Sequence, residues 1–226
     1  MKSIIVTGAS GNLGQAVVKK FLDDGYKVIG TVHQDEGEPA GEMYEKAIVD
    51  LADESNTAQF VKSVIASHEH IDAAVLTVGG FAMGKMSEIK TSDIAKQYRL
   101  NFETAFNIAR PLFVQMMVQQ TGRIFLVGSR PGLDMKAGKS MVAYALSKSL
   151  IFRLAEIMNE EAKGTDVVVS VVIPSTIDTP QNRESMPAAT FENWVKASDI
   201  ADVIHFYCSG KGRVLREPLL KVYGKA

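Results

Sequence analysis

The sequence predicts an α/β protein in which a mainly parallel sheet of seven strands lies between two layers of helices, a doubly wound three-layer sandwich. Short runs rich in β-branched residues alternate along the chain with longer amphipathic segments. Most of the short runs are continuously apolar, which is typical of parallel strands that helices cover on both faces. Because no linker-like stretch interrupts this repeated order, residues 1–226 are expected to form one domain.

The individual elements follow from these patterns. Strands are predicted at Ser3–Thr7, Lys27–Val32, Lys46–Val49, Ala73–Val78, Arg123–Val127, Val167–Ile173 and Leu219–Tyr223. Helices are predicted near residues 12–24, 54–67, 92–119, 141–163 and 198–208. Helices between successive strands are what a parallel sheet requires, because each connection must return from one end of the sheet to the other.

Composition excludes several classes of protein. The 25 Lys and Arg residues nearly balance the 26 Asp and Glu residues, so no basic field draws in nucleic acid or an anionic membrane. The single cysteine, Cys208, cannot form an internal disulfide and fits a reducing compartment. No apolar run is long enough to span a bilayer, and the four histidines show no metal-ligand spacing. We therefore expect a cytoplasmic protein that acts on a small molecule, with no metal, nucleic-acid partner or membrane partner.

A glycine-rich turn follows the first strand, in the stretch TGASGNLG. Gly8 would let the chain turn tightly, Gly11 would keep Cβ atoms away from an approaching phosphate, and Gly14 would let the following helix pack closely. The amides and dipole of that helix start favour a pyrophosphate. A glycine-rich turn without a ligand is the alternative interpretation of this stretch alone.

The candidate catalytic groups lie far downstream. Tyr144 and Lys148 are four residues apart on a predicted helix, so they share a face, and the ammonium would lower the pKa of the phenol towards working pH. Such a phenol is a general acid or base. Ser129 ends a predicted strand at its carboxyl end, where open α/β sheets bind ligands. The alternatives are a surface Tyr and Lys pair and an ordinary turn serine.

Together these motifs resemble the short-chain dehydrogenase/reductase family, with its Rossmann-like fold, over essentially the whole chain. TGASGNLG resembles the family's glycine-rich turn, VDL at 49–51 its adenine-contacting segment, and TVGG at 77–80 the segment usually written NNAG. IPSTIDTP at 173–180 is similar to the segment that contacts nicotinamide. Asn101, Ser129, Tyr144 and Lys148 match the family's catalytic tetrad.

The resemblance implies a role for each matched residue. Tyr144 would exchange a proton with the substrate oxygen, Ser129 would orient the carbonyl, and Lys148 would hold the nicotinamide ribose. Asn101, which should share a helical face with Tyr98 and Ala105, would support a water chain to Lys148 or is simply a satisfied core group. The implied cofactor-binding residues are Gly8, Ser10, Gly11, Asn12, Leu13, Gly14, His33, Asp50, Leu51, Val78, Gly79, Gly80, Tyr144, Lys148, Pro174, Ile177 and Thr179.

The resemblance leaves more than one function open. An oxidoreductase that moves hydride between a nicotinamide cofactor and a small carbonyl or alcohol is favoured. Residues 177–195 also look like the corresponding stretch of dihydropteridine reductases, which typically lack the serine found here at Ser129. A catalytically silent NAD(P)-sensing protein is the third possibility, because the family's larger branch has T-G-x-x-x-G-x-G, whereas here the middle glycine comes one place early and Asn12 follows it.

The end of the second predicted strand bears on cofactor choice. Folds that prefer NAD usually carry a carboxylate there, which binds the ribose hydroxyls and would repel a 2′-phosphate. Here Thr31 and His33 occupy the strand end, and no carboxylate appears until Asp35. NADP(H) is therefore favoured over NAD(H), although no Arg or Lys stands in this segment and Asp35 or Glu36 could swing in.

The sequence also predicts self-association. The helices near 92–119 and 141–163 carry more apolar surface than one sheet face can readily cover, including Phe102, Phe106, Phe113, Leu150, Phe152 and Leu154. In related folds these two helices pair across a two-fold axis, an arrangement that closes by symmetry. A homodimer or homotetramer is expected.

Overall fold

The computed structural model describes residues 1–37 and 40–225. The seven strands of its main sheet are β1 Ser3–Thr7, β2 Lys27–Val32, β3 Tyr44–Ile48, β4 Ala73–Leu76, β5 Thr121–Val127, β6 Asp166–Pro174 and β9 Leu219–Val222. Their order is β3-β2-β1-β4-β5-β6-β9, and all six neighbouring pairs run parallel. The predicted doubly wound fold is confirmed, with parallel pairing throughout this sheet.

The long helices cover both faces of the sheet. They are α1 Asn12–Asp23, α2 Glu54–His68, α3 Thr91–Tyr98, α4 Thr104–Gln119, α7 Val142–Glu161 and α9 Ala197–Cys208. Alternate strand residues point to opposite faces, so Ile5 and Ile124 pack with α2, α4 and α7, whereas Ile4 and Phe125 pack with α1 and α9. The strands read as continuously apolar because both of these faces are buried.

The predicted helix over 92–119 is interrupted. A π-helical segment, Arg99–Glu103, joins α3 to α4, and the Thr104 amide donates a hydrogen bond to the Arg99 carbonyl, five residues earlier. Each residue of a π turn advances less around the axis than in an α-helix, so the periodicity shifts at this point. Asn101 is consequently buried while Tyr98 lies partly exposed, and the predicted shared face of these two residues is wrong.

Short elements that the sequence did not predict follow β5 and β6. After β5 come α5 Arg130–Leu133 and α6 Met135–Gly138. After β6 come β7 Ile177–Asp178, α8 Pro180–Ser185, a 3₁₀ turn at Phe191–Asn193 and β8 Val195–Lys196, and β7 pairs with β8 as a separate two-stranded sheet. Elements this short have no periodicity to detect, which explains why the pattern missed them.

Two of the aromatic residues assigned to the protein surface belong to the core. Phe113 of α4 and Phe152 of α7 are buried against the sheet. Partly exposed apolar side chains do line the outer faces of these helices, but the set differs from the prediction. They are Ile94, Tyr98, Phe106, Val114 and Val118 on α3 and α4, and Leu146, Leu150 and Ile157 on α7. Within the described residues, no helix combines the length and apolar character that crossing a bilayer requires.

Candidate active site

The glycine-rich turn has the tight geometry that its spacing predicts. Gly8 adopts a positive φ of 63°, and the Gly11 amide donates to the Gly8 carbonyl at 2.9 Å. A Cβ on Gly14 would lie 2.0 Å from the Gly8 carbonyl oxygen, so only glycine permits this close packing of α1 on the turn. Gly11 precedes α1 in an extended conformation and has no side chain with which to cap the helix. These features fit a pyrophosphate at the helix start.

A cleft of about 750 Å³ opens above this turn, at the carboxyl ends of β1, β2 and β4. This volume lies in the range of cofactor and ligand sites, and its position is where open α/β sheets bind ligands. Its lining includes thirteen of the seventeen residues implied as cofactor-binding: Gly8, Ser10, Gly11, Asn12, Leu13, Gly14, His33, Asp50, Leu51, Val78, Gly79, Ile177 and Thr179.

Four implied residues lie outside that lining. Gly80 is engaged with Asn101, and Pro174 is buried at the end of β6. Tyr144 and Lys148 belong to α7, although the Lys148 ammonium borders the cleft, since a Cβ on Gly79 would lie 3.1 Å from its Nζ. The cleft and the candidate catalytic groups are therefore adjoining parts of one region.

The cleft lining contains two charged residues that the sequence analysis missed and one, Glu36, that it named as able to swing in. Lys96 of α3 and Arg99 of the π-helical segment line it, and so does Glu36, whose carboxylate accepts a hydrogen bond from Ser10 Oγ at 2.9 Å. Asp35, by contrast, pairs with Lys46 at 2.6 Å. No local pattern marks Lys96 or Arg99, because they reach the cleft from an element about 60 residues beyond β2 in the chain.

Asn101 is nearly inaccessible to solvent, at 1% exposure, and its amide is fully engaged. Its Oδ1 accepts from the Gly80 amide at 2.9 Å. Its Nδ2 contacts the Gly80 carbonyl, Gln97 Oε1 and Ser147 Oγ at 3.0, 2.9 and 3.1 Å. This network ties α3 to α7 and to the segment after β4, so Asn101 fixes the positions of neighbouring site residues.

The structure brings Ser129 and Tyr144 close together. Ser129 is buried at the start of α5, where its Oγ accepts from the Gly132 amide at 3.2 Å. Burial raises the pKa of the Tyr144 phenol above its ordinary value, and hydrogen bonding with Ser129 lowers it by a smaller amount. The expected lowering by Lys148 is wrong in this structure, because burial dominates. The Phe81 ring packs edge-on against Tyr144, with centroids 5.2 Å apart.

Lys148 is buried, and its Nζ donates to the Val127 carbonyl at 2.8 Å. Burial disfavours the charged form and lowers the pKa of this ammonium from 10.5 to about 8. The side chain is thus anchored to the end of β5 with its ammonium between that strand and Gly79. Within the described residues, no three His, Cys, Asp or Glu side chains lie close enough together to hold a metal ion.

Comparisons with known proteins agree with this geometry. A family model described as short chain dehydrogenase matches residues 2–189. The chain is 30% identical to a 2,3-dihydro-2,3-dihydroxybenzoate dehydrogenase of Escherichia coli (strain K12) over 184 residues, which cover 80% of this chain and 72% of that protein. It is 24% identical to an acetoacetyl-CoA reductase of Acinetobacter sp. over 189 residues, which cover 79% of this chain and 75% of the relative.

The fold also matches solved structures. The structure titled "ElxO with NADP Bound" superposes with a TM-score of 0.90 at 19% sequence identity, over 99% of this chain and 97% of that one. This likeness shows that the two chains share a fold.

Proposed function

We propose that this chain, which belongs to the short chain dehydrogenase family and is an NAD(P)-dependent oxidoreductase, reduces the carbonyl group of a small substrate with Tyr144 as the proton donor. The observation that carries the proposal is the contact of the Tyr144 phenol with Ser129, one helical turn from a buried Lys148 that borders the cleft. A bound nicotinamide dinucleotide would supply or accept the hydride.

Each side chain then has a definite task. Ser129 Oγ donates to the substrate oxygen and stabilises the negative charge that develops there. The Tyr144 phenol delivers the proton, and its raised pKa extends the pH range over which it remains protonated. Lys148, fixed to the Val127 carbonyl, presents its ammonium towards the cleft as a donor to a cofactor ribose. Asn101 holds Gly80 and α7 in register and acts as a positioning residue.

A regulatory protein that only senses the cofactor is less well supported. Such a protein has no need to keep Ser129 and Tyr144 in contact, nor to bury Lys148 at the cost of a lowered pKa. A pteridine-like imine remains a candidate substrate in place of a carbonyl, and it would use the same proton donor.

For the cofactor we favour NADP(H) over NAD(H). His33 directly follows β2, at the place where NAD-preferring folds carry a carboxylate, and it lines the cleft. Lys96 and Arg99 place cationic side chains in the same cleft, and Arg99 also pairs with Glu103 at 3.4 Å. Glu36 acts in the opposite direction, because its carboxylate, hydrogen-bonded to Ser10, would repel a 2′-phosphate. The solved structure with NADP bound adds an analogy from the shared fold.

The test is turnover and binding with both cofactors. We expect oxidation of NADPH by ketones or quinones, and tighter binding of NADPH than of NADH in a fluorescence titration.

Two variants test which residues set the cofactor preference. Glu36→Gln should tighten the binding of NADPH more than that of NADH, whereas His33→Asp should shift the preference to NADH. Asp35→Asn is the matched control, since Asp35 is held by Lys46 outside the cleft lining. Tighter binding of NADH to the wild type would overturn the preference, and turnover with quinonoid dihydropterin alone would overturn carbonyl reduction.

We also propose a homodimer, or a homotetramer built from two such dimers. The partly exposed apolar residues of α4 and α7 form stripes at helical spacing, namely Phe106, Val114 and Val118 on one helix and Leu146, Leu150 and Ile157 on the other. A second copy related by a two-fold axis would cover both stripes at once. Light scattering at micromolar concentration should give at least twice the mass of 24.6 kDa, and Leu150→Lys should shift it towards one chain. A monomeric mass for the wild type would refute the dimer.

A further inference from the structure

In the family's larger branch, the middle glycine of T-G-x-x-x-G-x-G falls at the position of Asn12. Nothing in the proposed reaction requires an asparagine there. Its Nδ2 donates to Gln181 Oε1 on α8, at 3.0 Å. The start of α1 forms one part of the rim of the cleft, and Ile177 and Thr179, next to α8, form another part. This hydrogen bond therefore joins the α1 part of the rim to the helix that follows the other part.

Residues 179–194, here named the flap, are held by hydrogen bonds to one another and to Ile177 and Asp178 of β7. Thr179 Oγ1 accepts from the Asn182 amide at 3.2 Å and caps α8, and Asn182 Nδ2 donates to the Ile177 carbonyl at 2.8 Å. Arg183 makes two hydrogen bonds to the Asp178 carboxylate, at 2.6 and 2.8 Å, and its guanidinium lies 4.9 Å from the centre of the Phe191 ring. These contacts make the flap compact and join its first turn to β7.

The flap has very little polar attachment to the rest of the protein. Among the residues that the structure describes, the Asn12 to Gln181 hydrogen bond is the one hydrogen bond or ion pair that links residues 179–194 to any residue outside 175–196. Two partners separated by 169 positions thus provide the flap's polar tie to the cofactor turn. Loops and flaps of this kind commonly gate ligand entry and release.

We propose that the Asn12 to Gln181 hydrogen bond is a latch that holds the flap over the cleft and slows the release of the dinucleotide. This inference rests on the proposed cofactor site. A bound dinucleotide would lie beneath the Asn12 to Gln181 hydrogen bond, so opening the flap requires breaking that bond. Because the bond is neutral and exposed, its loss should change the release rate about two- to tenfold.

The first test measures release of bound NADPH by stopped-flow fluorescence, with excess NADP⁺ as the displacing ligand. Gln181→Ala should release NADPH about two- to tenfold faster than the wild type. Ser185→Ala is the matched control, because the Oγ of Ser185 donates within α8, to the Asn182 carbonyl, and the release rate of this variant should not change. Asn12→Ala should have a smaller effect in the Gln181→Ala background than in the wild type, since the two residues act through one bond.

The second test needs no cofactor. Trypsin cleavage after Arg183 should be faster in ligand-free Gln181→Ala than in Ser185→Ala, because an unlatched flap opens more often. Equal cleavage rates, or NADPH that binds and leaves Gln181→Ala at the wild-type rate, would overturn the latch. If the wild type binds neither NADPH nor NADH, the proposed cofactor site fails, and the trypsin comparison alone decides whether the latch exists.

Discussion

Tyr144→Phe should remove most turnover, lowering kcat by about a hundredfold or more, while leaving the dissociation constant for NADPH within about twofold of the wild type. The substitution deletes the proton donor and preserves the ring that packs against Phe81. Because the substrate oxygen must still be protonated as hydride arrives, the loss falls on the chemical step. Steady-state kinetics and fluorescence titration separate the two effects.

Two further variants, Ser129→Ala and Tyr207→Phe, are compared with Tyr144→Phe. Ser129→Ala should cost roughly tenfold to a thousandfold in kcat, the range for one lost donor to a developing oxyanion. Tyr207→Phe, the same chemical change on α9, should leave kcat unchanged. Near wild-type turnover by Tyr144→Phe on a substrate that the wild type reduces would show that another group donates the proton.

The pH dependence of the reaction should follow from the same residue. Since burial raises the pKa of Tyr144, the phenol stays protonated through neutral and moderately alkaline pH. A step that uses it as an acid therefore retains its rate there and declines only when the pH exceeds the ordinary range of tyrosine. Tyr144→Phe should abolish that alkaline decline.

Lys148→Met should damage both binding and catalysis yet stabilise the ligand-free protein near pH 7. The wild-type ammonium is buried, and its pKa falls from 10.5 in the unfolded chain to about 8 in the folded one. A shift of this size means that burying the charged ammonium costs about 3 kcal/mol. The substitution removes this cost, but it also removes the hydrogen bond to the Val127 carbonyl, which was worth about 1 kcal/mol. Methionine fills the site without a charge, so the free energy of unfolding should rise by about 2 kcal/mol.

The sign of the pH effect distinguishes this explanation from general changes in packing. Between pH 8 and 10.5 the unfolded wild type binds more protons at Lys148 than the folded protein does, so wild-type stability rises with pH across that window. The variant lacks this dependence, and its advantage should be largest below pH 8 and shrink above it. Urea unfolding at pH 7 and pH 9.5 measures the difference. An advantage that stays constant with pH would mean that the ammonium is not penalised by burial.

Most of the fold could be predicted from the sequence because its signals are local. The core strands are uninterrupted apolar runs, and all seven occur within a few residues of their predicted bounds. The glycine turn was recognisable because a positive φ at Gly8 and the close contact at Gly14 leave only one residue type that fits. The four-residue spacing of Tyr144 and Lys148 likewise needs only the helix period.

Errors arose where local periodicity was broken or ambiguous. The π-helical segment rotates Asn101 into the interior and leaves Tyr98 partly exposed, which an uninterrupted 3.6-residue period does not anticipate. Phe113 and Phe152 were assigned to an exposed apolar surface, but the sheet covers them. A phenylalanine on a helix does not itself reveal which neighbour buries it.

By itself, the sequence determined the strand and helix pattern, the glycine turn and the residues brought together as the candidate site, since each depends on a few neighbouring residues. Only the tertiary structure decided the directions in which the pKa values of Tyr144 and Lys148 shift, because a pKa depends on burial by segments that are distant in the chain. It also decided which charges share the cleft, bringing Lys96, Arg99 and Glu36 together, and it placed Gln181 against Asn12. Such contacts join residues far apart in sequence, and no short-range pattern encodes them.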